Sequence, residues 1–128
     1  MSVAAPNSTP MPDTPATAPP RRRPVDLVHL ARQTHGNRDL ESEILALFLR
    51  QSPQQMARIA AAASPEALFE AAHQLKGSAR AIGAWTVADS AEAIEGGDLP
   101  GSTVGDARLT TLEHALAGAN DFIRALID

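Results

Sequence analysis

Residues 64–83 have the sequence SPEALFEAAHQLKGSARAIG, which contains the start, the apolar face and the end of one helix. Ser64 before Pro65 is a typical N-cap followed by proline at the first helical position, and Gly83 is a typical helix-ending residue. On a helical wheel, five apolar residues fall within roughly 40° of one direction: Leu68, Ala72, Leu75, Ala79 and Ile82. The stretch therefore predicts an amphipathic helix with one buried face.

The sequence on both sides of this helix has the same period and adds four predicted helices. They are a short helix capped by Asp26 and ended by His35-Gly36, one over residues 39–62, one over residues 84–95, and a last one that Thr103 and Asp106 begin as a capping box. Short connections between long amphipathic helices imply an all-α fold, an antiparallel up-down four-helix bundle with an additional short N-terminal helix.

The helix over residues 39–62 contains a proline at position 53. Its predicted buried face consists of Leu40, Ile44, Leu47, Phe48 and Gln51. Pro53 either kinks this helix or restarts it with Ser52 as the new cap.

Composition excludes several classes of protein. The chain lacks cysteine, so it has no disulfide framework and no thiolate zinc site. No apolar run approaches the ~20 residues of a membrane span. Three Phe, one Trp and no Tyr leave little to stack on nucleic-acid bases, and residues 25–128 are acidic, with eight Lys and Arg against fourteen Asp and Glu. We therefore expect neither nucleic acid nor a membrane as partner.

Residues 1–24 differ from the rest of the chain. They hold seven of the ten prolines, and their charge comes from Arg21–Arg23 against one Asp. Such a segment predicts a disordered Pro/Ala-rich tail before a folded domain over residues 25–128. The tail lacks the apolar region of a secretory signal, so a cytoplasmic location is expected. The arginine run could contact an acidic partner or could keep the linker solvated.

The solvent face of the helix over residues 64–83 carries unusual chemistry. His73 lies about 140° from the core direction, with Lys76, Gly77 and Arg80 close to it on the same exposed side. A glycine inside a helix destabilises it by about 1 kcal/mol relative to alanine. The presence of Gly77 would be explained if another molecule approached the helix closely at this position.

A neutral imidazole can form a covalent adduct through a ring nitrogen. Lys76 and Arg80 could then meet the oxygens of a phosphoryl group. The residues thus indicate a site for a phosphate or an acidic partner, with an ordinary solvated helix face as the alternative.

The chain resembles the histidine-containing phosphotransfer (HPt) domains of bacterial phosphorelays. The resemblance rests on the run from His73 through Leu75-Lys76-Gly77 to Ser78, on Gly83-Ala84, and on a following helix that ends in Ile94-Glu95. Ala81 and Val87 depart from the family's common Asn and Leu at positions that concern packing more than chemistry.

The resemblance implies specific roles. His73 would accept a phosphoryl group on Nε2 from the receiver domain of a hybrid histidine kinase and pass it to the receiver domain of a response regulator. Lys76 would steady the phosphoryl group and Gly77 would admit the receiver. Exposed Phe69 is the candidate for an apolar docking contact. Glu70, one turn before His73, could accept a hydrogen bond from Nδ1 and hold the tautomer, or could as easily be a solvated charge.

The same reading implies a monomeric phosphocarrier without ATP-dependent kinase activity. It needs no cofactor, since the Mg²⁺ in this chemistry belongs to the receiver. A histidine kinase fragment is a rival, but no glycine-rich nucleotide loop follows His73. A second rival is a module that binds receivers without accepting phosphate. No metal site is expected, because His29, His35 and His114 do not share one helix face.

Overall fold

The computed structural model describes residues 23–128, which form five α-helices and no strand. The helices are α1 (Leu27–Gln33), α2 (Arg38–Ala60), α3 (Pro65–Ile82), α4 (Trp85–Ile94) and α5 (Thr103–Ile127). Apart from its last two residues, the tail predicted over residues 1–24 lies outside the described residues, as do Arg21 and Arg22.

Four helices close into a ring around one core. α2 packs on α3, α3 on α4, α4 on α5, and α5 returns to α2, while the short α1 rests on α2 and α3. The predicted all-α bundle with an additional N-terminal helix is confirmed. None of the helices in the described part of the chain is long and apolar enough to cross a membrane.

Side-chain caps begin the helices near the predicted positions, with one correction. Ser64 Oγ accepts a hydrogen bond from the Ala67 amide at 3.1 Å, and Asp26 accepts one from the His29 amide at 3.1 Å. At α5 the cap is Ser102 and not Thr103, because Ser102 has the extended backbone that a cap requires and its hydroxyl accepts from the Gly105 amide at 3.0 Å. Thr103 is the first helical residue.

The buried face of α2 differs from the predicted one. The buried residues of α2 are Leu45, Phe48, Ser52, Gln55 and Ile59, whereas Leu40 and Leu47 are exposed. Two polar residues on this face bind neighbouring helices: Gln55 Nε2 donates to Ser78 Oγ at 3.2 Å, and Ser52 Oγ accepts from Asn120 Nδ2 at 3.2 Å. The predicted face is therefore rotated relative to the observed one: Gln51 is exposed, and the polar Ser52 and Gln55 are buried by their contacts with other helices.

The structure excludes one of the two alternatives for Pro53, a restart of the helix at Ser52. α2 is one uninterrupted helix from Arg38 to Ala60, with Pro53 inside it. Ser52 does not restart the helix, because it is fully buried and its hydroxyl binds Asn120 in α5.

Asp26, the N-cap residue of α1, holds the turn between α3 and α4 in place. Gly83 has the left-handed φ of 78°, and the Asp26 amide donates to the Gly83 carbonyl at 2.9 Å. The Asp26 carboxylate also accepts from Trp85 Nε1 in α4 at 3.0 Å. This hydrogen bond from Trp85, aided by that from the His29 amide, holds the pKa of Asp26 below its ordinary value. The end of α3 and the start of α4 are thereby held in one relative position.

Replacing Gly83 by alanine should destabilise the bundle by roughly 1–3 kcal/mol or more, because it combines a left-handed backbone with a clash. The added Cβ would lie 2.8 Å from Asp26 Cβ and 3.0 Å from its carbonyl oxygen. Urea unfolding monitored by circular dichroism measures the loss.

Gly96→Ala is the matched control, since Gly96 has a φ of 68° but nothing within 4 Å of an added Cβ. A Gly83→Ala variant no less stable than Gly96→Ala would contradict the role given to the Asp26 contact.

Candidate functional site

The outer face of α3 carries His73, whose side chain is 61% exposed. The opposite face is buried at all five positions that the sequence predicts: Leu68, Ala72, Leu75, Ala79 and Ile82. The predicted orientation of α3 is therefore confirmed, with an imidazole on the surface of a rigid core helix.

Glu95, the C-cap residue of α4, bridges two side chains of α3. Its Oε2 lies 2.8 Å from His73 Nδ1, and its Oε1 accepts from Lys76 Nζ at 2.8 Å. Both Glu95 and Lys76 have side chains that are nearly buried, at 11% and 12% exposure. One carboxylate thus ties the imidazole and the ammonium to α4.

Glu95, and not Glu70, occupies the position at Nδ1, so of the two alternatives for Glu70 the hydrogen bond to Nδ1 is wrong. Glu70 is exposed and lines the groove toward α2 with Arg58, whereas α4 packs on the other side of His73. The hydrogen bond to Nδ1 thus comes from the residue that follows α4, and not from the preceding turn of α3.

The Glu95 carboxylate stays ionised despite its burial. Desolvation raises the pKa of this group, but hydrogen bonds from Lys76 and His73 outweigh desolvation, so the pKa lies below its ordinary value of 4.5. An ionised carboxylate only accepts hydrogen bonds, so Nδ1 of the neutral imidazole must carry the proton. The lone pair of the ring is then on Nε2, the nitrogen remote from Glu95.

The two other cations of this face have carboxylate partners on α4. Lys76 is not the exposed ammonium that the helical wheel predicts, because its side chain turns into the α3–α4 contact. Arg80 Nη2 donates to Glu92 Oε1 at 3.0 Å, and both of these side chains are about half exposed. An exposed ion pair of this kind is weak, so the Arg80 guanidinium remains accessible to an anion.

Gly77 and Phe69 lie one turn after and one turn before His73. An added Cβ at Gly77 would meet nothing within 4 Å, so packing within the described residues does not require glycine there. Phe69 is 45% exposed, and its ring stacks on the imidazole, with ring centroids 5.3 Å apart and planes 14° apart. One face of the His73 ring thus lies against Phe69, and the described residues leave space free at Gly77.

An open groove between α2 and α3 reaches this site. Its lining includes Arg58, Ala62, Phe69, Glu70 and His73. Arg58 Nη1 donates to Gln74 Oε1 at 2.6 Å, which holds a cation of α2 beside the imidazole. The sequence analysis did not identify Arg58, because no helical spacing relates it to His73.

The remaining histidines lie apart from this face. His29 packs edge-on against Trp85 with ring centroids 4.8 Å apart, and His114 is exposed on α5. Among residues 23–128, no group of three or more His, Asp or Glu side chains is arranged to hold a metal ion.

Comparison with known families agrees with the site. The family model of the Hpt domain matches residues 43–119, which include α3, α4 and most of α2 and α5. The chain therefore belongs to the Hpt family, the histidine phosphotransfer domains of phosphorelays. Members are phosphocarrier modules rather than kinases, and their partners are receiver domains. No curated protein and no solved structure matches the chain.

Glu95 is the site residue whose contacts the sequence analysis missed. It appears there only as the last residue of the family motif, yet the α3–α4 hairpin contains a signal for its position. In an antiparallel pair joined at Gly83-Ala84, residues about equally far from the turn face each other. This relation places Glu95, eleven residues after Ala84, opposite His73, ten residues before Gly83.

Removing the Glu95 charge should change how the free energy of unfolding depends on pH in the acidic range. Because the pKa of Glu95 is lowered by folding, its contribution should be complete above about pH 4.5 and disappear as the pH falls through the lower folded pKa. We expect the free energy of unfolding of Glu95→Gln to fall less steeply than that of the wild type between pH 6 and about pH 3. Urea titrations across this range measure both curves.

Asp26 also has a lowered pKa and keeps its own acid dependence in both proteins. The difference between the two curves therefore isolates Glu95. Parallel curves would show that the bridge to His73 and Lys76 does not stabilise the folded state.

Proposed function

We propose that His73 accepts a phosphoryl group from the aspartyl phosphate of a receiver domain, as in a hybrid histidine kinase, and passes it to the aspartate of a response regulator. The observation that carries this proposal is the contact of Nδ1 with Glu95 on an otherwise exposed ring. It leaves Nε2 as the nucleophilic nitrogen, on the surface where a receiver can reach it.

The transfer is a displacement at phosphorus. The Nε2 lone pair forms the N–P bond while the P–O bond to the donor aspartate breaks, and the aspartate leaves as a carboxylate. The ring then holds positive charge with its proton still on Nδ1, next to the ionised Glu95. In the second step the acceptor aspartate attacks phosphorus, the N–P bond breaks, and the neutral imidazole returns with its Nδ1 proton in place.

Lys76 interacts with two groups in this scheme, the Glu95 carboxylate and the phosphoryl group. Its ammonium holds the Glu95 carboxylate in the ionised form at 2.8 Å, which supports the proton on His73 Nδ1. A phosphoryl group on Nε2 brings about two negative charges and three acceptor oxygens. The flexible stem of Lys76 lets Nζ turn toward this charge, and the accessible Arg80 guanidinium offers a second donor.

Gly77 supports close approach of the receiver. Its absent side chain leaves open space, so a helix-weakening residue sits where packing among residues 23–128 does not need it. The exposed Phe69 offers an apolar contact at the same surface. In this scheme the chain acts as a monomer without ATP-dependent kinase activity and uses no cofactor of its own, since Mg²⁺ belongs to the receiver.

His73→Gln should lose all phosphate acceptance from phosphorylated receivers. Its stability should stay within about 0.5 kcal/mol of the wild type, because the side chain is exposed and glutamine keeps an N–H donor for Glu95. Transfer of radiolabelled phosphate from a panel of receivers, with acid and base lability, measures the first. Urea unfolding measures the second.

Labelled phosphate on His73→Gln at the wild-type rate would contradict the proposal. Binding of wild type to a receiver without phosphate transfer would indicate a binding module instead of a carrier.

Gly77→Ala should separate stability from transfer. Alanine should stabilise α3 by up to about 1 kcal/mol, because the site has room and alanine favours the helix. Phosphate transfer from a receiver should fall by roughly tenfold or more, because the methyl group displaces the partner from the imidazole.

Phosphoramidate, a small phosphoryl donor, provides the control, because it does not need the open surface. Its rate of His73 phosphorylation should be unchanged in Gly77→Ala. An unchanged receiver rate in the more stable variant would remove the role proposed for Gly77.

A further inference from the structure

The His73 ring needs more than one constraint to present Nε2 in a fixed direction. Its side chain is 61% exposed, so core packing does not hold the imidazole. The hydrogen bond between Nδ1 and Glu95 fixes one atom of the ring at 2.8 Å. A ring held at one atom can still rock about that contact, and Nε2, on the far side of the ring, then moves the most.

Phe69 supplies a second constraint of a different kind. Its ring lies nearly parallel to the imidazole, with planes 14° apart and centroids 5.3 Å apart. Phe69 precedes His73 by four residues on α3, a spacing that makes side chains neighbours on one helix face. A parallel contact restricts the plane of the imidazole, which the hydrogen bond alone leaves free. Together, Phe69 and Glu95 define both the plane and the direction of the ring.

We propose that Phe69 is a positioning residue for phosphoryl transfer, which holds the imidazole plane so that Nε2 points toward the open surface beside Gly77. This inference rests on the proposed function and assigns Phe69 a role within the chain, apart from any contact with a receiver. The Nε2 lone pair lies in the plane of the ring, so fixing this plane fixes the direction of attack on phosphorus, and the described residues leave space free at Gly77.

A small donor distinguishes positioning from docking. With phosphoramidate, Nε2 of the neutral imidazole attacks phosphorus, the P–N bond breaks, and ammonia leaves, while the Nδ1 proton stays with the ring. This reaction needs the correct direction of Nε2 but no receiver surface. A docking residue therefore has no effect on its rate, whereas a positioning residue does.

Three substitutions test the role of the aromatic ring. Phe69→Leu keeps an apolar side chain without a flat ring, Phe69→Ala removes most of the side chain, and Phe69→Trp restores a flat ring. We expect the rate with phosphoramidate to fall roughly tenfold in the leucine and alanine variants and to return to within about threefold of the wild type with tryptophan. Leu126→Ala is the control, since Leu126 is equally exposed, at 46%, in the last turn of α5. Its rate should equal that of the wild type.

NMR of ¹⁵N-histidine-labelled protein shows whether the stacked arrangement of the two rings and the Nδ1 proton are present in solution. In the wild type, the carbon-bound protons of the His73 ring should show the upfield shift caused by the stacked Phe69, and Nδ1 should carry the proton. In Phe69→Leu the ring shift should disappear while the far-UV circular dichroism and the melting temperature stay close to the wild type, because Phe69 is exposed.

A wild-type rate with phosphoramidate in folded Phe69→Leu would overturn the positioning role while leaving the carrier function intact. If wild-type protein takes no phosphate from phosphoramidate or from any receiver, the proposed function fails, and the positioning role fails with it. Slow phosphorylation of Phe69→Leu that Phe69→Trp does not restore would assign the effect to something other than the flat ring and would also overturn the inference.

Discussion

The site depends on the two oxygens of the Glu95 carboxylate. One oxygen binds His73 Nδ1 and the other binds Lys76 Nζ, each at 2.8 Å. Hydrogen bonds from both donors outweigh desolvation and lower the pKa of this nearly buried carboxylate, and because it is ionised, it decides which imidazole nitrogen carries the proton. An exposed histidine without this partner would divide its proton between both nitrogens. The same residue with this partner presents Nε2 as a nucleophile.

This arrangement requires α3 and α4 to stay in one register, which the other end of the hairpin provides. The left-handed Gly83 reverses the chain, and Asp26 binds both its carbonyl and the indole of Trp85. A slip of α4 along α3 would separate Glu95 from His73 and Lys76 together. The short α1 therefore contributes to the chemistry of a site that it does not contact, by fixing the turn from which α4 departs.

The sequence predicted what depends on local patterns. Ser64, Pro65 and Gly83 bound α3 where expected, and the apolar stripe correctly placed His73 at the surface. The prediction failed where a contact comes from another helix. Ser52 is buried where it binds Asn120 of α5, Glu95 takes the position at Nδ1 for which Glu70 was a candidate, and Lys76 turns inward to Glu95. Periodicity along one helix does not contain these contacts, whereas the register across the Gly83 turn predicts that of Glu95 with His73.

We expect Glu95 to keep the proton of His73 on Nδ1, so that phosphate is carried on Nε2. Two-dimensional ¹⁵N NMR of histidine-labelled protein, before and after transfer from a phosphorylated receiver, measures both properties. A neutral His73 should be protonated at Nδ1 and, after transfer, phosphorus should couple to Nε2. A neutral ring protonated at Nε2, or phosphorus coupled to Nδ1, would contradict this expectation.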